Sequence, residues 1–116
     1  MKILLVDDEK KFAIMLSKRL ALRGIDVDVA FTGEDAVKKT EIDRYDVAIL
    51  DVKMPGIGGI RLKRKLIDLN PGMKIIFLTG HGSESDFKIG SAEAACYLSK
   101  PLHIDTLIKI LRKVVE

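Results

Sequence analysis

At 116 residues, with 47% hydrophobic and 32% charged content and a net charge of +3, the chain has the balance of one globular domain and not of a disordered or fibrous protein. No stretch approaches the roughly 18 unbroken apolar residues of a membrane span. The apolar start at Met1 to Val6 is stopped by Asp7-Asp8-Glu9, too early for a signal peptide, so the expected location is the cytoplasm. The single cysteine, Cys96, has no partner for a disulfide or a metal cluster and is expected as a buried structural thiol.

The chain alternates between the two hydrophobic periods. Residues 2 to 6 form an apolar run expected as a strand, and Phe12, Met15, Leu16 and Leu20 then share one face of a helix that Gly24 closes with a left-handed cap. A second strand is expected over 25 to 30, where Asp26 and Asp28 alternate with Val27 and Val29 as on a sheet edge. Thr32 with Asp35 has the spacing of a helix-starting box. A third strand, 45 to 50, precedes a helix marked by Leu62, Leu66 and Leu69. Asn70-Pro71-Gly72 reads as a turn in which Gly72 supplies a positive φ, followed by a fourth strand over 73 to 78. Ser83 with Asp86 starts a fourth helix, 95 to 98 form a fifth strand, and Ile104, Leu107, Ile108 and Leu111 mark a fifth helix.

This order implies a parallel sheet with right-handed crossovers and helices on both faces. The first, third and fourth strands are apolar throughout, which places them centrally, and the edge character of the second gives the order 2-1-3-4-5. The fold class expected is therefore α/β, a single doubly wound flavodoxin-like (βα)5 domain spanning 1–116.

Each strand but the second ends on a residue that handles phosphate or metal. Ile3 to Val6 runs into Asp7-Asp8, Val47 to Leu50 into Asp51, Ile75 to Leu78 into Thr79, and Tyr97-Leu98-Ser99 into Lys100-Pro101. Ligands of open α/β sheets bind at the carboxyl ends of strands where the chain reverses direction. Asp7, Asp8 and Asp51 would meet there. Carboxylates that ionise near pH 4 alone repel one another in one cleft unless a cation neutralises them, and Mg²⁺ or Mn²⁺ suits a site of a few hard oxygens. Lys100 and Thr79 would add a point charge and a hydroxyl donor for phosphate oxygens, and an aspartate nucleophile forming an acyl phosphate is chemistry such a set can perform. For a single aspartate after a strand, helix capping by Asp7 or Asp8 and a plain turn at Asp51 are the simpler explanation. They do not explain all four strand ends together.

With these residues in place, the chain resembles, over its full length, the receiver domain of two-component response regulators. Asp7-Asp8, Asp51-Val52-Lys53-Met54-Pro55 with Gly59, Thr79-Gly80 and Lys100-Pro101 follow the family pattern in order and separation. The resemblance implies a phosphorylation-activated signalling switch, not an enzyme acting on a separate substrate. Asp51 would be the phospho-acceptor, served by a sensor histidine kinase or a phosphotransfer protein. Asp8 and Asp51, with Asp7 mainly through water and the Lys53 backbone carbonyl, would hold Mg²⁺ or Mn²⁺. Thr79 and Lys100 would contact the phosphoryl group, Thr79 and Tyr97 would report the state, and Lys53 and His81 would modulate its lifetime. The state would pass through the fourth helix, fifth strand and fifth helix to an effector domain or protein. Asp86, Lys88, Glu93, Lys109 and Arg112 offer both signs of charge there for a phosphorylation-linked homodimer.

Gly58 stands where the family often has Asp, a departure that alters the loop after the site, and Glu93 where a Gly is frequent, a departure expected to change the last turn of the fourth helix. Two alternatives stay open: a phosphorylation-independent receiver-like binding module, and a Mg²⁺-dependent aspartyl-phosphate phosphatase, which would want a second acid where Lys53 stands. The cations of Lys10-Lys11, Lys38-Lys39, Arg61 to Lys65 and Arg112-Lys113 fall on helices without interleaved aromatics, so they are expected as solvated faces and not as a nucleic-acid patch. His81 and His103 are isolated from other metal ligands. Gly56-Ile57-Gly58-Gly59 lacks the ending of a P-loop and reads as a flexible turn. Phe31, Phe77 and Phe87 are expected in the core.

Overall fold

Successive side chains of a strand turn to opposite faces of the sheet, so the two halves of each apolar run must be covered separately. The structure, a computed structural model that describes residues 1–52, 54–79, 96–100 and 102–115, meets that requirement with helices on both sides. In chain order the elements are β1 (Lys2–Val6), α1 (Lys10–Leu22), β2 (Asp26–Ala30), α2 (Gly33–Ile42), β3 (Val47–Asp51), α3 (Gly59–Leu69), β4 (Lys74–Thr79), β5 (Cys96–Ser99) and α4 (Ile104–Val115). Here α4 is the fifth helix expected from the sequence. The helix expected from Ser83 and Asp86 lies outside the described residues, as do Lys53, His81, Phe87, Lys88, Glu93, Pro101 and the side chains of Thr79, Cys96 and Tyr97.

The strands form one parallel sheet in the order β2-β1-β3-β4-β5. All five residues of β3 are buried, whereas β2 is buried only at Ala30, which is the central-versus-edge contrast that the sequence implied. Leu4, Val6, Ala48, Leu50, Ile75 and Phe77 pack on one face with Ala36 of α2 and Leu62 and Leu66 of α3. Ile3, Leu5, Val47, Ile49, Ile76 and Leu78 pack on the other with Ala13, Leu16 and Leu20 of α1 and Leu107, Ile108 and Leu111 of α4. Each such fully buried Leu or Ile contributes roughly 1.5–3 kcal/mol of transfer free energy. Phe31 packs at the margin of the second core.

Local signals held at most helix ends. Gly24 has φ +79° and donates its N–H to Ala21 O at 3.0 Å, and Thr32 Oγ1 accepts from the Asp35 N–H at 3.1 Å. Three expectations need correction. Gly72 does not take a positive φ; the turn closes through the Met73 N–H to Asn70 O at 3.1 Å, a form open to most residues. Met15 is 38% exposed because the buried face of α1 runs through Ala13, Leu16 and Leu20, one position away. Leu69, the last residue of α3, is 45% exposed where the chain leaves the helix for Asn70. β1 spans the residues expected, β2 begins one residue later and ends as expected, and β3, β4 and β5 begin one or two residues later and end one later, which puts Asp51 and Thr79 inside β3 and β4.

At the amino edge of the sheet a polar cluster ties the layers together. The Tyr45 hydroxyl donates to Asp28 Oδ2 at 2.6 Å, Asn70 Nδ2 donates to Tyr45 O at 2.9 Å, and the Lys2 N–H donates to Asp46 Oδ2 at 2.8 Å. Burial first, then the Asp28 hydrogen bond and the negative fields of Asp28, Asp43 and Asp26, pushes the Tyr45 phenol well above its ordinary range.

Candidate functional site

The carboxyl edge of the sheet is built by strands that stop in register. Asp7 follows β1 and its N–H donates to Ala30 O at 3.1 Å, while Val52, just past Asp51, donates its N–H to Leu78 O at 2.9 Å. Thr79 ends β4 opposite Ser99 of β5, and Lys100 follows directly. The start of α3 closes this edge from one side. The Gly59 N–H donates to Val52 O at 3.0 Å, and a side chain at Gly59 would collide with the Asp51 carbonyl oxygen, so only glycine lets the helix approach the end of β3 this closely. Gly56 and Gly58 both take positive φ, as the turn reading of that segment requires.

Ligand oxygens of Asp7, Asp8 and Asp51 lie within 4.8 Å of one another, with Asp7 and Asp51 buried and Asp8 exposed. Lys100 Nζ enters the same cleft, 2.8 Å from Asp7 Oδ2, 2.7 Å from Glu9 Oε1 and 4.0 Å from Asp51 Oδ2. It also lies 4.4 Å from the centre of the Phe12 ring. Burial works against the ammonium's charge, yet the contacts with Asp7 and Glu9 and the field of Asp51 outweigh it, and the Lys100 pKa is raised. One cation therefore serves three acids.

Asp7 and Asp8 do not cap α1. Its N-cap is Glu9, without a side-chain capping bond, and Asp7 Oδ1 instead accepts the Glu9 N–H at 2.9 Å in a local turn. Asp7 Oδ2, fully buried, accepts no hydrogen bond among the described residues and is met by the Lys100 ammonium at 2.8 Å. A buried carboxylate oxygen in that condition, beside two further carboxylates, is the donor set a hard divalent cation completes. The structure thus brings together Asp7, Asp8, Asp51 and Lys100 and places Thr79 and Tyr97 in adjoining strands, while Lys53 and His81 lie outside the described residues.

The sequence model of the response regulator receiver domain family matches residues 3–112. The chain belongs to this family. The probable transcriptional regulatory protein TcrX of Mycobacterium tuberculosis is 32% identical over 115 residues, covering 98% of this chain and 49% of TcrX. The solved structure of response regulator TrrA from Thermotoga maritima in complex with Mg²⁺-BeF matches with a TM-score of 0.85 at 34% identity over 97% of both chains. A response regulator from Burkholderia pseudomallei, solved with a phosphorylated aspartic acid, a calcium ion and citrate, matches with a TM-score of 0.88 at 27% identity, over 98% of this chain and 68% of that one. The chain spans about half the length or less of the curated relatives it matches.

This receiver domain is thus a phosphorylation-driven switch of two-component signalling. Among the described residues no helix is long and apolar enough to cross a membrane. Two neighbours of Lys100 were not singled out from sequence. Glu9 drew notice only as part of an acidic run and Phe12 only as a core-facing residue, because their approach to Lys100 spans 91 and 88 positions of chain. The one available signal was that Glu9 sits two residues past Asp7, at a helix start where a shorter capping side chain is usual.

Proposed function

We propose that Asp51 is the phospho-acceptor of this domain and that it takes a phosphoryl group from a phosphohistidine on a sensor kinase or phosphotransfer protein in the cytoplasm. The observation that carries this reading is the arrangement of Asp51 with Asp7 and Asp8 within 4.8 Å and with Lys100 Nζ at 4.0 Å. Asp7, Asp8 and Asp51, with the Lys53 carbonyl, would hold Mg²⁺ or Mn²⁺. When bound, the metal neutralises charge on the acceptor and on the phosphoryl oxygens. The Asp51 carboxylate attacks phosphorus in line, the phosphorus–nitrogen bond breaks, and its electron pair returns to the imidazole. Lys100 meets the added charge of about −2.

Thr79 and Tyr97 follow the phosphoryl group as switch residues, and Lys53 and His81 set how readily water reaches it. The surface of residues 83 to 93, β5 and α4 then changes and docks an effector domain or protein or a second receiver. On α4 the residues Lys109 and Arg112 face outward while Leu107, Ile108 and Leu111 face the core. The 116 residues act as one such domain.

The test is intact mass after treatment with acetyl phosphate or phosphoramidate and Mg²⁺. One added phosphoryl group, labile to hydroxylamine, is expected in the wild type and none in Asp51→Asn. Undiminished modification of Asp51→Asn would remove Asp51 from its role.

A further inference from the structure

Lys100 has two short anionic contacts and one long one, and the three partners differ in what can replace the ammonium. Asp7 is fully buried within the carboxylate set that a divalent cation would complete, so a cation rather than bulk water is what could take the lysine's place there. The Glu9 side chain is 62% exposed, and water can replace the lysine at little cost. Asp51 stands at 4.0 Å, beyond hydrogen-bond reach. Lys100 itself is 11% exposed and backed by the Phe12 ring, so its ammonium has a narrow range of travel among these acids.

A phosphoryl group on Asp51 would draw Lys100 inward, and the contact surrendered is the one that water alone can replace. That contact is with Glu9. The carboxylate of Glu9 makes no capping bond to α1 and reaches Lys100 Nζ at 2.7 Å. A lysine ammonium, a compact charge on a flexible stem, suits a transfer between two anions.

We propose that Glu9 is a positioning residue, a releasable anchor that holds Lys100 back from Asp51 in the unphosphorylated domain and yields it as the phosphoryl group arrives. Glu9 then sets the threshold for phosphoryl capture without touching the phosphoryl group itself. The inference rests on Asp51 being the acceptor.

The experiment follows the side-chain ammonium signal of Lys100 by ¹⁵N NMR, identified by its loss in Lys100→Gln, in wild type and Glu9→Gln. Each is recorded metal-free and with Mg²⁺ and beryllofluoride. The signals of the two proteins should differ in the metal-free state and coincide in the loaded one, because the anchor has by then been released. Beryllofluoride affinity at saturating Mg²⁺ should rise about fivefold in Glu9→Gln, the ratio that corresponds to about 1 kcal/mol for a partly exposed ion pair. An unchanged metal-free signal, or an unchanged or lowered affinity, overturns the proposal. So does an equal difference in both states, which is the mark of a plain field effect of the lost charge. Failure of the wild type itself to bind beryllofluoride removes the Asp51 reading, and the anchor with it, whereas binding by wild type with no Glu9 effect removes the anchor alone.

Discussion

The two edges of the sheet both bury polar groups, and they treat them in opposite ways. At the amino edge each polar group has its complement: the Tyr45 hydroxyl meets Asp28, the Asn70 amide meets the Tyr45 carbonyl, and Asp46 takes the Lys2 N–H. At the carboxyl edge Asp7 and Asp51 share Lys100 with Glu9, and among the described residues Asp7 Oδ2 is buried without a hydrogen bond. The first cluster is finished and holds the fold. The second is left electrostatically incomplete in the protein alone, which is what a site needs if a cation and a phosphoryl group are to find favourable places in it.

The sharpest way to break this contrast is at Gly59, where the carboxyl edge depends on close backbone packing. Gly59→Ala is expected to cost about 3 kcal/mol in urea unfolding, because its methyl group would run into the Asp51 carbonyl oxygen with the Val52 Cα only 2.9 Å away. An effect below about 1 kcal/mol would mean that the start of α3 can move off β3 freely. Next in size is Asn70→Ala, expected to cost about 2 kcal/mol by taking the side-chain donor from the buried Tyr45 carbonyl. Phosphorylation of the folded fraction should be untouched, since Asn70 belongs to the finished edge. A loss of phosphorylation beyond the loss of folded protein would show that the two edges are coupled.

Tyr45→Phe should cost about 1 kcal/mol at neutral pH through the bond to Asp28. It should also change the alkaline limb of the stability curve. Because the folded-state phenol is held above its ordinary value of 10.0, the stability it supplies is complete below that pH. Above it the unfolded chain loses the proton first, and stability falls as pH rises. The Phe variant should lose less stability than wild type in this range; identical slopes would discount the Asp28 contact. The smallest effect is one of opposite sign. Asp51→Asn, the variant expected to lose phosphorylation, should raise stability by about 0.5 kcal/mol in metal-free, low-salt buffer by relieving repulsion with Asp7 and Asp8, and the gain should shrink in salt. A destabilised Asp51→Asn would mean that its attraction to Lys100 outweighs the repulsion.

The sequence by itself determined the strand order, the two-sided layering and which residues stand at the strand ends, because each of these is written in residues close together in the chain. Alternation assigns a strand's faces, an uninterrupted apolar run marks a central strand, and the residue after the run is delivered to the edge whatever the loops do. Turn geometry was less legible: Gly72 is compatible with a positive φ, but nothing local demands one, and the turn closes without it. The exact helix face was also beyond local reading, since Met15 and Ala13 compete for the core and only the position of α1 against the sheet decides between them. What only the tertiary structure decided is the division of one ammonium among Asp7, Glu9 and Asp51, the closing of the Tyr45 hydroxyl on Asp28 and of the Asn70 amide on the Tyr45 carbonyl, and the need for a residue without a side chain at Gly59. These depend on distances between groups far apart in the chain, and a distance of 2.7 Å as against 4.0 Å has no signature in the order of the residues, only in the packing that brings them together.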